Sequence, residues 1–189
     1  MPVVRGPAGW ERCSRFRSAR RLGVDFSGVA LEQARSSAVR LLPAGRGEFR
    51  LGTLIATGVP AGVADGLMCV DAVQFADPPL AALSEFRRVL ACGGRLAVTC
   101  WEACDPLDER VLPRLRCVNL RRDLPAVGFV DIQVSDMPEW RQAERAMWEA
   151  VVAAWADSDA AVQALQAEGR RSLEAFDSLR RVFATASAP

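Results

Sequence analysis

The stretch from Phe49 to Glu102 constrains the fold more than any other, because extended and helical signals alternate along it in a fixed order. Ala64 to Val73 (ADGLMCVDAV) is a mostly apolar run whose only charges are Asp65 and Asp71. Pro78 and Pro79 stop it and open a helix, expected over Leu80 to Leu90. Leu80, Leu83, Arg87 and Leu90 then share one face, with Phe86 and Val89 flanking it. Gly93 and Gly94 end that helix, and Arg95 to Trp101 (RLAVTCW) is a second apolar strand. Two apolar strands joined by a helix of about three turns predict a right-handed βαβ crossover and a parallel sheet. Ligands of such sheets bind at the carboxyl ends of the strands. Asp71 and Glu102 are expected there.

The 189 residues suffice for one domain with a sizeable core but not comfortably for two. Half the chain is apolar, which argues against disorder, and the formal net charge of +1 makes no electrostatic case for nucleic acid. All 24 basic residues are Arg, and the chain has no Lys, His or Tyr. With the abundant Ala, this suggests a GC-rich, bacterial coding sequence. The absence of His removes the commonest general base and metal ligand near neutral pH. The six cysteines (Cys13, Cys69, Cys92, Cys100, Cys104, Cys117) include no CxxC pair, so no metal site is expected. Cys69 and Cys100 lie in apolar strand runs and read as small hydrophobes. No apolar run approaches the ~18 residues of a membrane span, and no signal-peptide pattern opens the chain. A reduced, cytoplasmic protein with no membrane partner is the expectation.

Along the chain, residues 1–21 are locally basic, with Arg5, Arg12, Arg15, Arg17, Arg20 and Arg21 against Glu11. A nucleic-acid arm would interleave aromatics, and only Trp10 and Phe16 are present. Leu22 to Phe26 is a short strand, and Ser27 caps a helix to about Leu42 with Leu31, Ala34, Ala38 and Leu41 on one face. Pro43 to Glu48 is a turn, and Phe49 to Leu54 a strand. A Pro- and Arg-punctuated connector covers Asp105 to Asp123. Leu124 to Phe129 is a helix end stopped by Gly128, and Val130 to Ser135 a strand. Asp136 caps and Pro138 opens a helix to about Trp155, with an apolar stripe of Trp140, Met147 or Trp148, Val151 and Trp155. That stripe is either core or the roof of a substrate cavity. Helices over Asp157 to Glu168 and Arg170 to Leu179 precede a last strand, Val182 to Ser187.

Leu22-Gly23-Val24-Asp25-Phe26-Ser27, GVALEQAR, ATGVPAGVADGLMCVDAVQFAD, LSEFRRVLACGGRLAVTCWE and the final LRRVFATASAP occur in that order and spacing. Together they resemble a class I S-adenosylmethionine-dependent methyltransferase, with a core like the ubiquinone/menaquinone methyltransferases. The resemblance implies a Rossmann-like doubly wound α/β sheet, mostly parallel with an antiparallel last strand. It also implies one methyltransferase-like domain over 1–189, with a cofactor-side core (22–104), a substrate-side connector and helices (105–181) and the last strand (182–187). The cofactor implied is S-adenosyl-L-methionine, and the partner a small-molecule substrate. Such a family starts with a strand and a glycine-rich turn, for which the candidate here is Val3-Val4 followed by Gly6 and Gly9. The usual preceding acid and one glycine are missing, so this start is either a minimal cofactor turn or a truncated one. The resemblance places Asp25 on the ribose hydroxyls, although capping is its competing role. It adds Phe26, Thr53 and Leu54 as further cofactor contacts, with Thr53 standing where an acid is usual. It puts Asp71, Ala72 and Gln74 at the methionine end and substrate mouth, with Gln74 orienting a substrate polar group and Trp101 and Trp140 as further substrate contacts.

Methyl transfer from a sulfonium is an in-line displacement that depends on proximity, alignment and a dry cavity, so a chain without His can still perform it. For a hydroxyl nucleophile, Asp71 or Glu102 is the candidate base, since burial raises a carboxylate's pKa. An ordinary solvated carboxylate is the competing reading of Glu102. Three functions compete: a small-molecule methyltransferase, a non-catalytic methyltransferase-like scaffold, and another doubly wound enzyme such as a nucleotide-dependent oxidoreductase. The oxidoreductase would need a fuller G-x-G-x-x-G. If the first strand is lost, unpaired strand edges are exposed, and the expectation is a poorly stable domain or one that completes its sheet by pairing with another chain, for instance as a homodimer.

Overall fold

The structure, a computed structural model, describes residues 20–43, 45–154 and 159–189. The chain divides into two compact units, Met1–Gly58 and Val59–Pro189. The expected strand at Val3-Val4 and the turn glycines Gly6 and Gly9 lie outside the described residues, as does Trp155.

In the first unit, β1 (Arg21–Asp25), α1 (Gly28–Leu41) and β2 (Gly47–Leu51) form a β-α-β element with parallel strands. The pairing runs from Arg21↔Gly47 to Asp25↔Leu51. Ser27 caps α1 as expected, its hydroxyl accepting from the Ala30 N–H at 3.2 Å. Gly23 is needed on β1 because a Cβ there would come within 2.9 Å of the Phe49 ring on β2. Of the expected α1 stripe only Leu31 is buried, while Leu41 is 78% exposed. Strand β2 stops at Leu51, short of the expected Leu54, because Thr53 and Ala56 close a small antiparallel bridge of their own.

The second unit is built on a four-stranded sheet of β3 (Ala64–Val70), β4 (Leu90–Ala103), β5 (Val130–Asp136) and β6 (Leu179–Ser187), in the order β3-β4-β6-β5. The β3–β4 pair is parallel and joined through α2 (Pro79–Val89), which is the predicted crossover. Strand β6 is antiparallel to both β4 and β5, as expected of the last strand. Strand β3 ends three residues earlier than the sequence suggests. Asp71 adopts φ 52°, turning the chain out of the sheet, and Val73–Phe75 form a 3-10 turn. The α2 helix buries Ala82, Leu83, Phe86 and Val89, so its inner face is rotated from the expected Leu80–Leu83–Arg87–Leu90 line and Leu80 is exposed. Gly93 and Gly94 do not follow the helix directly. They form an irregularity inside β4, between the pairs Ala64↔Leu90 and Gly66↔Arg95. Gly93 has φ +76°, and a Cβ on Gly94 would lie 2.8 Å from the Ala91 carbonyl oxygen and 3.0 Å from that of Ala64.

The connector contains α3 (Pro113–Arg116) and α4 (Leu120–Ala126), the latter capped by the Asn119 side chain. Asp136 does not cap the next helix: it pairs with Val182 at the end of β5, and α5 (Pro138–Ala153) begins after Met137. A single helix, α6 (Ala160–Glu174), replaces the two expected ones. Gly169 continues the helix, giving the close approach to α5 where a Cβ would meet Val152 and Trp148 at 3.0–3.1 Å. No helix of the described residues is long and apolar enough to cross a membrane.

Alternation along the strands gives this sheet two unlike faces. Leu96, Val98, Cys100, Val182 and Ala184 occupy the core face, each at most 1% exposed. Glu102 and Arg180, a register pair, share it. Glu102 is fully buried, its Oε1 accepting from the Leu120 N–H at 2.7 Å and its Oε2 from Arg180 Nη2 at 2.6 Å. One carboxylate therefore joins β4, β6 and the first turn of α4. Removing one partner of a buried ion pair typically costs about 3–5 kcal/mol. Glu102→Ala is expected to lose that much in urea unfolding and Glu102→Gln clearly less, since the amide oxygen can still accept. Equal stability of Glu102→Ala and the parent would show that the pair contributes nothing net.

Candidate functional site

The strand ends of the two units carry separate polar groups. In the first unit, Asp25 closes β1, and its Oδ1 accepts from the Ser27 N–H at 2.7 Å, so it does take part in the turn into α1. Its Oδ2 has no partner among the described residues. The Asp25 carbonyl accepts from the Gly52 N–H at 3.0 Å, which brings the turn after β2 beside it. Gly52 is required there, since a Cβ would lie 2.8 Å from the Thr57 carbonyl oxygen. Thr53 follows, exposed, its hydroxyl accepting from the Ala56 N–H at 3.1 Å, and Leu54 is half-buried. Phe26 is 80% exposed at the same end. The arrangement is an open carboxylate oxygen, a hydroxyl and an exposed ring at the carboxyl end of two parallel strands, a combination suited to hydroxyl-bearing ligands.

In the second unit, Asp71 is held on three sides at the end of β3. Its N–H donates to the Thr99 carbonyl at 3.0 Å, its Oδ1 accepts from the Thr99 hydroxyl at 2.8 Å, and its Oδ2 accepts from Arg181 Nη2. Burial pushes the Asp71 carboxyl up, but the bonds from Arg181 and Thr99 and the Arg181 charge together outweigh it. The net displacement is below the usual carboxylate range. The sequence expectation of a carboxylate raised by burial, ready to act as a base, is therefore corrected for Asp71. Ala72 and Gln74 lead into the 3-10 turn, with Gln74 buried and its Nε2 donating to the Asp71 carbonyl at 3.0 Å. Gln74 Oε1 is buried without a donor among the described residues. Glu102 is neither a solvated loop carboxylate nor an open base, because both its oxygens are committed on the core face.

The other face of this sheet is covered around Trp101 and Arg181 and open over β3. Met68 and Val70 of β3 are 77% and 56% exposed, and with Thr99, Trp140, Arg181 and Phe183 they line a cleft of about 290 Å³. Trp140, on α5, packs against Phe183 with ring centroids 6.1 Å apart. Of the three predicted substrate contacts, Trp140 lines this cleft. Trp101 packs instead into a core cluster with Phe176, edge to face at 5.2 Å. The half-buried face of α5 comprises Arg141, Glu144, Arg145, Trp148, Val151 and Val152, while Trp140 and Met147 are exposed. Arg181 was not among the expected residues. Its signal was a charge embedded in the apolar final strand, at a position sharing the face of Phe183.

Residues 8–98 match the family model described as a methyltransferase domain. Among solved structures, the (4+2)-cyclase SpnF is similar at 21% identity, with 95% of this chain and 70% of that one covered and a TM-score of 0.69. Phosphoethanolamine N-methyltransferase 2 of Haemonchus contortus, solved with S-adenosyl-L-methionine, is similar at 20% identity and TM-score 0.71. The match takes in 97% of this chain but only 46% of the nematode protein, so the chain spans less than half of that relative. Geranyl diphosphate C-methyltransferase from Streptomyces coelicolor is 16% identical over 97% of this chain and 68% of that one, at TM-score 0.68. The fold is that of the class I methyltransferases. No curated protein matches the chain in sequence.

The lowered Asp71 pKa makes a pH prediction with a definite sign. A carboxyl whose folded pKa lies below its unfolded value of 3.8 adds stability above that value and loses it as pH falls through the folded pKa. Asp71→Asn is therefore expected to be less stable than the parent at pH 7, with the gap narrowing below about pH 4 in thermal melts. A gap that widens on acidification would contradict the Arg181–Asp71 assignment.

Proposed function

We propose that this chain transfers a methyl group from S-adenosyl-L-methionine to a small-molecule acceptor. The observation that carries the reading is the methyltransferase-domain match over residues 8–98, which takes in the first β-α-β element, β3, α2 and the first part of β4, with Asp25 and Asp71 at strand ends. Neighbours of the same fold solved with S-adenosylmethionine or S-adenosylhomocysteine support the cofactor. The fold alone does not choose the reaction, since SpnF shares it and is a cyclase. The cofactor, when bound, supplies a methyl group on a sulfonium sulfur.

Asp25 suits the ribose: its Oδ2, without a partner among the described residues, can accept from a ribose hydroxyl while Oδ1 keeps the turn into α1. Thr53 and the exposed Phe26 would flank the same ligand, and Leu54 would add apolar contact. Asp71 and Gln74 serve as positioning groups for the acceptor, with Gln74 Oε1 available to an N–H or O–H. Alignment of reacting groups supplies on the order of 7–11 kcal/mol in such displacements, so a dedicated base is not required.

Calorimetric titration of the purified chain with S-adenosylhomocysteine tests this reading. Binding near 1 μM, about −8 kcal/mol, is expected. Asp25→Ala is expected to weaken it about tenfold or more, since a hydrogen-bonded carboxylate is lost. A well-folded chain that takes up no S-adenosylhomocysteine would overturn the methyl-transfer reading.

A further inference from the structure

Arg181 is 8% exposed, yet two of its nitrogens have no hydrogen-bond partner. Nη2 is committed to Asp71, whereas Nε and Nη1 are buried with no hydrogen-bond acceptor among the described residues. Its guanidinium lies over the Trp101 ring at 5.2 Å, which leaves the donor edge, not the flat face, to be satisfied. Buried donors are ordinarily paired, and an unpaired arginine edge in a cleft wall marks a place where a ligand acceptor belongs. Among the neighbouring polar groups, Glu144 Oε2 stands 3.9 Å from Nε, too far for a hydrogen bond, and the Thr99 hydroxyl already donates to Asp71. The remaining wall is Met68, Cys69, Val70, Ala97, Trp140 and Phe183.

The charges around the arginine decide what sort of acceptor fits. Two carboxylates face Arg181: Asp71 in contact, and Glu144 of α5 with Oε2 3.9 Å from Nε. One guanidinium between two carboxylates leaves no positive charge over for an anion, which would be brought beside both acids in an apolar wall. A neutral oxygen gains the hydrogen bond without that repulsion. We infer that the cleft over β3, β4 and β6 binds a neutral, largely apolar molecule through a carbonyl or hydroxyl oxygen that accepts from Arg181 Nη1 or Nε. The volume of about 290 Å³ suits a molecule built on one or two rings, with Trp140 and Phe183 as stacking walls. This deepens the methyl-transfer reading by naming the class of its acceptor, and it rests on that reading only in calling the ligand a methyl acceptor.

Three probes of nearly equal size separate the alternatives in ligand-observed NMR titrations: acetophenone, its isostere α-methylstyrene without the oxygen, and benzoate. Acetophenone is expected to bind at least about tenfold more tightly than either of the others. Arg181→Lys keeps a charge for Asp71 but loses the guanidinium fork. It should bring acetophenone down to the level of α-methylstyrene while leaving α-methylstyrene unchanged, which also reports that the cleft is intact. Trp140→Ala should weaken acetophenone and α-methylstyrene alike. No preference for acetophenone in the parent chain, tighter binding of benzoate, or a preference that survives Arg181→Lys would each overturn the inference. The titrations need no cofactor. Acetophenone binding without S-adenosylhomocysteine binding would leave the cleft assignment standing and remove methyl transfer, and the converse result would do the reverse.

Discussion

The side-chain oxygens of Glu102 are buried, and the sheet of the larger unit is arranged around satisfying them. Oε2 takes the Arg180 guanidinium from the antiparallel neighbour, and Oε1 takes the first free N–H of α4. A buried charge left without either partner would be costly, so β4, β6 and the connector helix are tied to one register. That register places Trp101 opposite Arg181 and Thr99 opposite Phe183 on the other face. The polar staple on the core side therefore determines which groups line the open side.

The Arg180-Arg181 pair shows how a strand's alternation divides labour between adjacent identical residues. Arg180 points to the core face and closes the Glu102 pair. Arg181 points to the cleft face, holds Asp71 and keeps two donors in reserve. Asp71 can take this position because its left-handed backbone turns the chain at the end of β3, with the Thr99 hydroxyl and carbonyl receiving it. The result is an ionised, oriented carboxylate next to an apolar cleft. A carboxyl held below its usual range is a poor base, and under the proposed methyl transfer it would serve to position the acceptor.

Much of this architecture was legible in the residues. Apolar runs around Pro78-Pro79 and the Gly93-Gly94 pair identified the crossover, and Ser27 marked the start of α1, because these signals are local and act through the backbone itself. The misjudged details share one cause: they depend on what lies across space. Asp71 was expected as a base with a raised pKa, since sequence reveals burial but not that Arg181, more than a hundred residues away, donates to it. Glu102 was read as an open carboxylate for the same reason, its partners Leu120 and Arg180 being remote in the chain. The two helices expected over Asp157 to Glu168 and Arg170 to Leu179 are one because Gly169 sits where α6 packs closely on Trp148 and Val152.

By itself, the sequence determined the order of strands and helices and the βαβ crossover, because propensity, periodicity and turn chemistry are short-range, while the antiparallel last strand followed only from the methyltransferase resemblance. Only the tertiary structure decided which carboxylates are occupied and which are open, and which of two adjacent arginines faces the cleft. Those outcomes depend on strand register and on partners distant in sequence, and a one-residue shift in register would have exchanged the two faces.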